Sequence, residues 1–117
     1  MKKISLVVLF VFVSVTVYAT ETVRIAPLTI SIANNTTTIT TSATAIPGTS
    51  LVGRETIAIC LNDTTDTVYI GNSSVSTANG LPLDSSRPCL NVDADDSIIF
   101  YGIVSAGTAD VRSLEIK

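Results

Sequence analysis

The 117-residue chain reads as all-β: a small antiparallel β-sandwich or jelly-roll-like domain behind an N-terminal signal peptide. Three observations predict this class. Turn signals recur at roughly eight- to twelve-residue spacing, the punctuation of short strands in a sandwich. The stretches between them are rich in Thr, Ser, Val and Ile, which favour extended backbone, and none shows a helical period. The length suits one ordinary domain and not two.

Composition also bounds function. Seven Lys and Arg face ten Asp and Glu, for a formal charge of −3. A protein that tracks phosphates needs a basic face, so nucleic acid is not expected as a partner. His is absent, which removes the commonest general base, metal ligand and pH switch together. With no G-x-S-x-G, P-loop, H-E-x-x-H or C-x-x-C motif either, the chain is not expected to be an enzyme or to hold a cofactor.

The elements follow in order. Lys2 and Lys3 precede an apolar run from Ile4 to Val17, and Val17 and Ala19 occupy the −3 and −1 places of a cleavage site. A basic start, an apolar centre and a small-residue end define a secretory signal. Residues 1–19 are therefore expected to be removed, leaving 20–117 as a single sandwich domain whose only membrane contact is through that signal. Loss of Lys2 and Lys3 leaves five basic against ten acidic side chains, a formal charge of −5.

Thr20 to Ile32 reads as extended, with Val23, Ile25, Leu28, Ile30 and Ile32 near a period of two around Pro27. Asn34-Asn35 is a turn candidate, because Asn tolerates left-handed backbone. Thr36 to Ile46 reads as a hydroxyl-rich surface strand with Ile39 and Ile46 as its anchors. Pro47-Gly48 is a turn dipeptide. Glu55 to Leu61 turns Ile57, Ile59 and Leu61 one way and Thr56, Ala58 and Cys60 the other. With Thr67–Ile70 it suggests a hairpin closed by Asn62–Asp66. Thr67–Leu83 is a second β-turn-β unit, in which Gly71 and Gly80 are expected to serve backbone turns. Cys89–Val92 is a brief strand. Ser97–Ser105 is the most apolar stretch after the signal, so a central strand is expected, with Gly102 marking a bulge or a close backbone approach. Thr108–Lys117 is the last strand.

Cys60 and Cys89 are the only cysteines. Both lie on the face opposite their strands' large apolar residues, and an exported chain meets an oxidising compartment. A disulfide between them is expected, with two free thiols as the alternative.

The remaining candidates are sparse. Asp93, Asp95 and Asp96, with Asp63 and Asp66, offer oxygens of the kind calcium takes. Their D-x-D-D spacing lacks the Gly and terminal Glu of an EF-hand loop, and turns favour Asp for local hydrogen bonding. A plain turn is the stronger expectation. Arg54-Glu55 and Asp110-Arg112 invite ion-pair readings. Tyr69 and Tyr101 offer a platform for a sugar, against the blander reading of sheet-face packing. The polar loop Asn72–Asn79, with Asn72, Ser73, Ser74 and Asn79, is the candidate binding loop. N-x-S/T triplets occur at Asn34, Asn35, Asn62 and Asn72, and matter only in a eukaryotic secretory pathway.

Four spans carry a family resemblance: S-A-T-A-I-P (Ser42–Pro47), L-V-G-R-E-T-I-A-I (Leu51–Ile59), T-V-Y-I-G-N-S-S-V-S-T-A-N-G-L-P-L (Thr67–Leu83) and I-F-Y-G-I-V-S-A-G-T-A-D-V-R-S-L-E (Ile99–Glu115). In this order they resemble small β-sandwich virion-associated proteins of tailed bacteriophages, of head, neck or tail-fibre type. The resemblance implies a compact module that packs as repeated copies, a structural subunit and not a catalyst. Such proteins usually lack a secretion signal and a cysteine pair. Export therefore extends the expectation to a phage-derived or host surface protein, or to a virus whose subunits pass a membrane. The expected partners are further copies or other virion and surface proteins. The alternative is a secreted or periplasmic binding module, an adhesin or glycan binder.

Overall fold

A computed structural model describes residues 30–117, in which every regular element is a strand. The expected signal and cleavage site at 1–19 lie outside the described residues, as does the extended segment up to residue 29.

Eight strands follow in order: β1 (Ile32–Ile39), β2 (Thr44–Ile46), β3 (Thr56–Leu61), β4 (Val68–Gly71), β5 (Leu81–Leu83), β6 (Cys89–Asp93), β7 (Phe100–Val104) and β8 (Ala109–Ile116). They form two four-stranded antiparallel sheets, ordered β1-β8-β3-β6 and β2-β7-β4-β5. The pairs nest. β1 lies with β8, β2 with β7, β3 with β6 and β4 with β5, as though one long ribbon had been rolled up. β3–β8 and β4–β7 ladders close the roll. This is the jelly-roll arrangement of a β-sandwich, as the turn spacing predicts.

The period of two places the core. β3 buries Ile57, Ile59 and Leu61, while β8 buries Ala109, Val111, Ser113 and Glu115. From the facing sheet Ile46, Val68, Ile70, Leu83 and Val104 meet them. Ile39 and Ile46, the expected anchors of the hydroxyl-rich segment, are both fully buried. The segment itself is divided, because Thr40–Ala43 carries the chain from one sheet to the other.

Several local expectations are corrected. Asn34 and Asn35 sit in the middle of β1, opposite Leu114 and Ser113, and among the described residues none other than glycine has a positive φ. Tolerance of left-handed backbone is not a demand for it, and eight ladder positions outweigh it. β3 and β4 are not a hairpin. β3 is flanked by β8 and β6, and Asn62–Asp66 crosses to the other sheet. Alternation shows which side chains of a strand point inward, but not which sheet the strand joins. Among the described strands, β4–β5 is the only consecutive pair that shares a sheet.

β7 is central, between β2 and β4, with Gly102 and Val104 facing the core and Tyr101 and Ile103 half-buried on the outside. Ile98 and Ile99 precede it as loop and remain about half exposed, at 50% and 48%. Gly102 marks a close approach: a Cβ there would stand 2.9 Å from Ile46 Cδ1 and 3.1 Å from Ile39 Cδ1. Gly71 and Gly80 also act through space and not through turn conformation. A Cβ on Gly71 would stand 2.9 Å from Val75 Cγ2, and one on Gly80 would stand 2.6 Å from Tyr69 Cβ.

Candidate functional site

Cys60 and Cys89 face each other across β3 and β6 with Cα atoms 4.1 Å apart, joined in a disulfide on the outer face of their sheet. Leu61 N–H donates to Pro88 C=O beside them, so the cysteines occupy the narrow, non-hydrogen-bonded kind of antiparallel pair. The bond fits a non-reducing, extracellular or periplasmic environment. No helix among the described residues is long and apolar enough to cross a membrane.

One end of the sandwich is organised by a charge that sequence reasoning misplaced. Arg54 is 1% exposed and Glu115 0%. Arg54 Nη1 donates to Glu115 Oε2 at 2.8 Å, so the partner is Glu115 and not the adjacent Glu55. Arg54 Nε donates to Ala94 O at 3.0 Å, and Nη2 donates to Asp95 O and Ile98 O at 2.6 Å each. Glu115 also accepts from Leu51 N–H at 3.1 Å. The guanidinium carbon lies 6.0 Å from the Phe100 ring centroid, within reach of a cation–π contact. The pair thus ties the β2–β3 and β6–β7 loops to the end of β8. The described partners of Arg54 are internal to the fold, so the pair acts as a clasp between loops. The sequence held one signal for it. Alternation along Thr108–Lys117 puts Glu115 on the same face as Val111, where a charge needs a partner.

The acidic residues do not converge. Asp93 ends β6 on the outer face, Asp96 Oδ2 accepts from Gly53 N–H at 2.8 Å, and Asp95 Oδ1 accepts from the Ser97 hydroxyl and from its N–H at 2.9 Å. Asp63 accepts from Thr65 N–H at 3.0 Å in a separate loop. Among the described residues no group of three or more His, Cys, Asp or Glu is placed to hold a metal ion. These carboxylates cap turns. Hydrogen bonds from the Ser97 hydroxyl and then its N–H hold Asp95 below the ordinary carboxyl range. Ser86 does the same for Asp84, and Thr65 N–H for Asp63.

The candidate binding loop spends much of its chemistry on itself. Asn72 Oδ1 accepts from Ser74 N–H at 2.9 Å. Asn79 Oδ1 accepts from Ser76 N–H at 2.7 Å, and its Nδ2 donates to Ser74 O at 3.3 Å. Val75 is buried beneath these bonds. Ser73 and Ser74 remain exposed. Tyr69 and Tyr101 share the outer face of the second sheet as diagonal neighbours, Tyr69 opposite Ile103 and Tyr101 opposite Gly71.

A concavity of about 530 Å³ lies on the outer face of the first sheet between β1, β8 and β3. Its floor is Ala58 and Leu114, and Asn34, Thr36, Cys60 and Arg112 surround it. Arg112 makes no ion pair among the described residues, and Asp110 accepts from the Thr38 hydroxyl at 2.6 Å. A smaller apolar groove of about 280 Å³ runs between Leu81, Leu90, Ile98, Ile99 and Phe100. Sequence reasoning found neither, since both depend on which strands are neighbours. No family model, curated protein or solved structure matches the chain.

Proposed function

We propose that the chain is a non-enzymatic structural or assembly protein of the kind its sequence resembles, the small virion-associated proteins of tailed bacteriophages. It is exported and associates with copies of itself. The observation that carries this reading is where polar side chains are spent. Arg54, Glu115, Asp95, Asp96, Asn72 and Asn79 all bond within the fold, whereas the open surfaces are sheet faces with a mixed apolar and hydroxyl character. Such faces suit contact with other protein. Jelly rolls serve virion subunits and lectins alike, so the fold supports this reading only by analogy. Mass spectrometry of purified virions from the producing cell tests it: the chain is expected among the virion proteins, and its absence from them overturns the phage assignment.

A second reading, a secreted or periplasmic surface-binding module for glycans, is favoured by Tyr69 and Tyr101 sharing one outer face. A glycan array and a host-cell binding assay test it. Binding that falls on Tyr69→Ala or Tyr101→Ala supports it, and empty results in both assays remove it.

A further inference from the structure

The four sheet edges are not treated alike. β2 has three residues and runs into Pro47. β5 is Leu81-Pro82-Leu83, with a proline inside it. β6 follows Pro88 and ends on Asp93. Short length, proline and charge are the devices that keep a sheet edge from pairing with another chain. β1 has none of them. It is eight residues, Ile-Ala-Asn-Asn-Thr-Thr-Thr-Ile, paired along its whole length with β8 and, among the described residues, on that side only.

The hydrogen-bond phase shows which of its groups are open. Ser31 and Lys117 exchange both backbone bonds, at 3.2 and 2.9 Å. The alternation of an antiparallel ladder then assigns Ala33, Asn35, Thr37 and Ile39 to β8. Ile32, Asn34, Thr36 and Thr38 turn their N–H and C=O away from it, and these groups have no partner among the described residues.

We propose that this edge pairs antiparallel with β1 of a second copy, joining two four-stranded sheets into one continuous sheet. The inference rests on the self-association reading above and names its surface. One register satisfies every open group. With Asn35 opposite Asn35 of the second copy, Ile32 meets Thr38 and Asn34 meets Thr36, and each pair exchanges both bonds. A shift of two residues either way leaves one of the four outside the ladder. A shift of one turns the core face of one copy to the outside of the other. The register is self-complementary, as a two-fold interface requires.

A separate observation falls at the same place. Ser113 Oγ is buried without a hydrogen-bond partner among the described residues, and Ser113 is the cross-strand partner of Asn35. Both lie on the inner side of the sheet, Asn35 half-buried at the edge. Pairing through β1 puts two Asn35 side chains at the two-fold axis, where their amides can satisfy each other and the hydroxyls behind them. The outer concavity beside Asn34, Thr36 and Arg112 then continues across the seam.

Proline substitution separates the edge from the fold. Thr36→Pro removes an N–H that β8 does not use, whereas Thr37→Pro removes one that it does. Sedimentation velocity on protein purified after expression of the full chain should show a dimer. Thr36→Pro should keep the β circular-dichroism spectrum and raise the dissociation constant about tenfold or more. Asn35→Cys should give a covalent dimer on non-reducing gels, since it creates the same kind of close pair that Cys60 and Cys89 occupy; Thr37→Cys, opposite Ala33, should not. Self-association that survives Thr36→Pro unchanged, with no cross-link from Asn35→Cys, overturns the β1 interface and leaves the self-association reading standing. A wild-type chain that stays monomeric at every concentration overturns both.

Discussion

At the scale of single residues, the burial of Arg54 decides the most. A guanidinium that is 1% exposed bonds to Glu115 and to three backbone carbonyls, so removing either charge strands the other. Glu115→Leu is expected to lower unfolding free energy by about 3–5 kcal/mol in urea denaturation. Arg54→Met should cost at least as much, because it also strands the carbonyls of Ala94, Asp95 and Ile98. The double variant should lose less than the two singles together, and a double-mutant cycle measures the difference. Glycines give a second contrast. Gly80→Ala pushes a Cβ to 2.6 Å from Tyr69 Cβ and 3.1 Å from Ser76 O, whereas Gly48→Ala meets nothing within 4 Å. The first should cost about 1–3 kcal/mol and the second should be close to neutral by the same measurement. Arg54 does not betray its role in the sequence, since its partners Ala94, Asp95, Ile98 and Glu115 lie far along the chain. Gly80 does not either, because the way its loop folds back on Tyr69 and Val75 sets the crowding.

At the scale of elements, turns and edges carry the distinctions. Asp63, Asp84 and Asp95 cap loops, and their carboxyls are held below the ordinary range by hydrogen bonds from Thr65, Ser86 and Ser97. A carboxyl with a depressed folded pKa contributes stability above its unfolded value and loses it as pH falls through the folded one. The urea midpoint should therefore hold from neutrality to about pH 4 and drop below it. Asn in place of all three aspartates should flatten that drop. The turns themselves were readable from Asp, Asn, Ser, Gly and Pro at the expected spacing, because their signals are local. Asn34-Asn35 shows the limit: the same residue type sits in a turn or mid-strand according to whether a partner strand such as β8 is there to receive it.

At the scale of the whole molecule, the disulfide and the roll work together. Cys60–Cys89 joins neighbouring β3 and β6 over a separation of 29 residues. Replacing both cysteines with alanine should lower stability by about 3–4 kcal/mol, read as the shift in unfolding free energy between the two proteins. Intact mass with and without reductant should show the bond, and a mature N-terminus at Thr20 in the same spectrum checks the export signal. The sequence by itself determined the all-β class, the positions of β3, β4, β6 and β8, the inward face of β3 and the expectation that Cys60 and Cys89 pair. All of these follow from period-two patterning, turn chemistry and cysteine count, which are properties of short stretches. Only the tertiary structure decided that β3 and β4 lie in different sheets, that Arg54 answers Glu115, and that β1 is the one long unprotected edge among the described strands. Those facts depend on which strands become neighbours in the roll. Alternating side chains set a strand's inner face but are silent about the strand beside it.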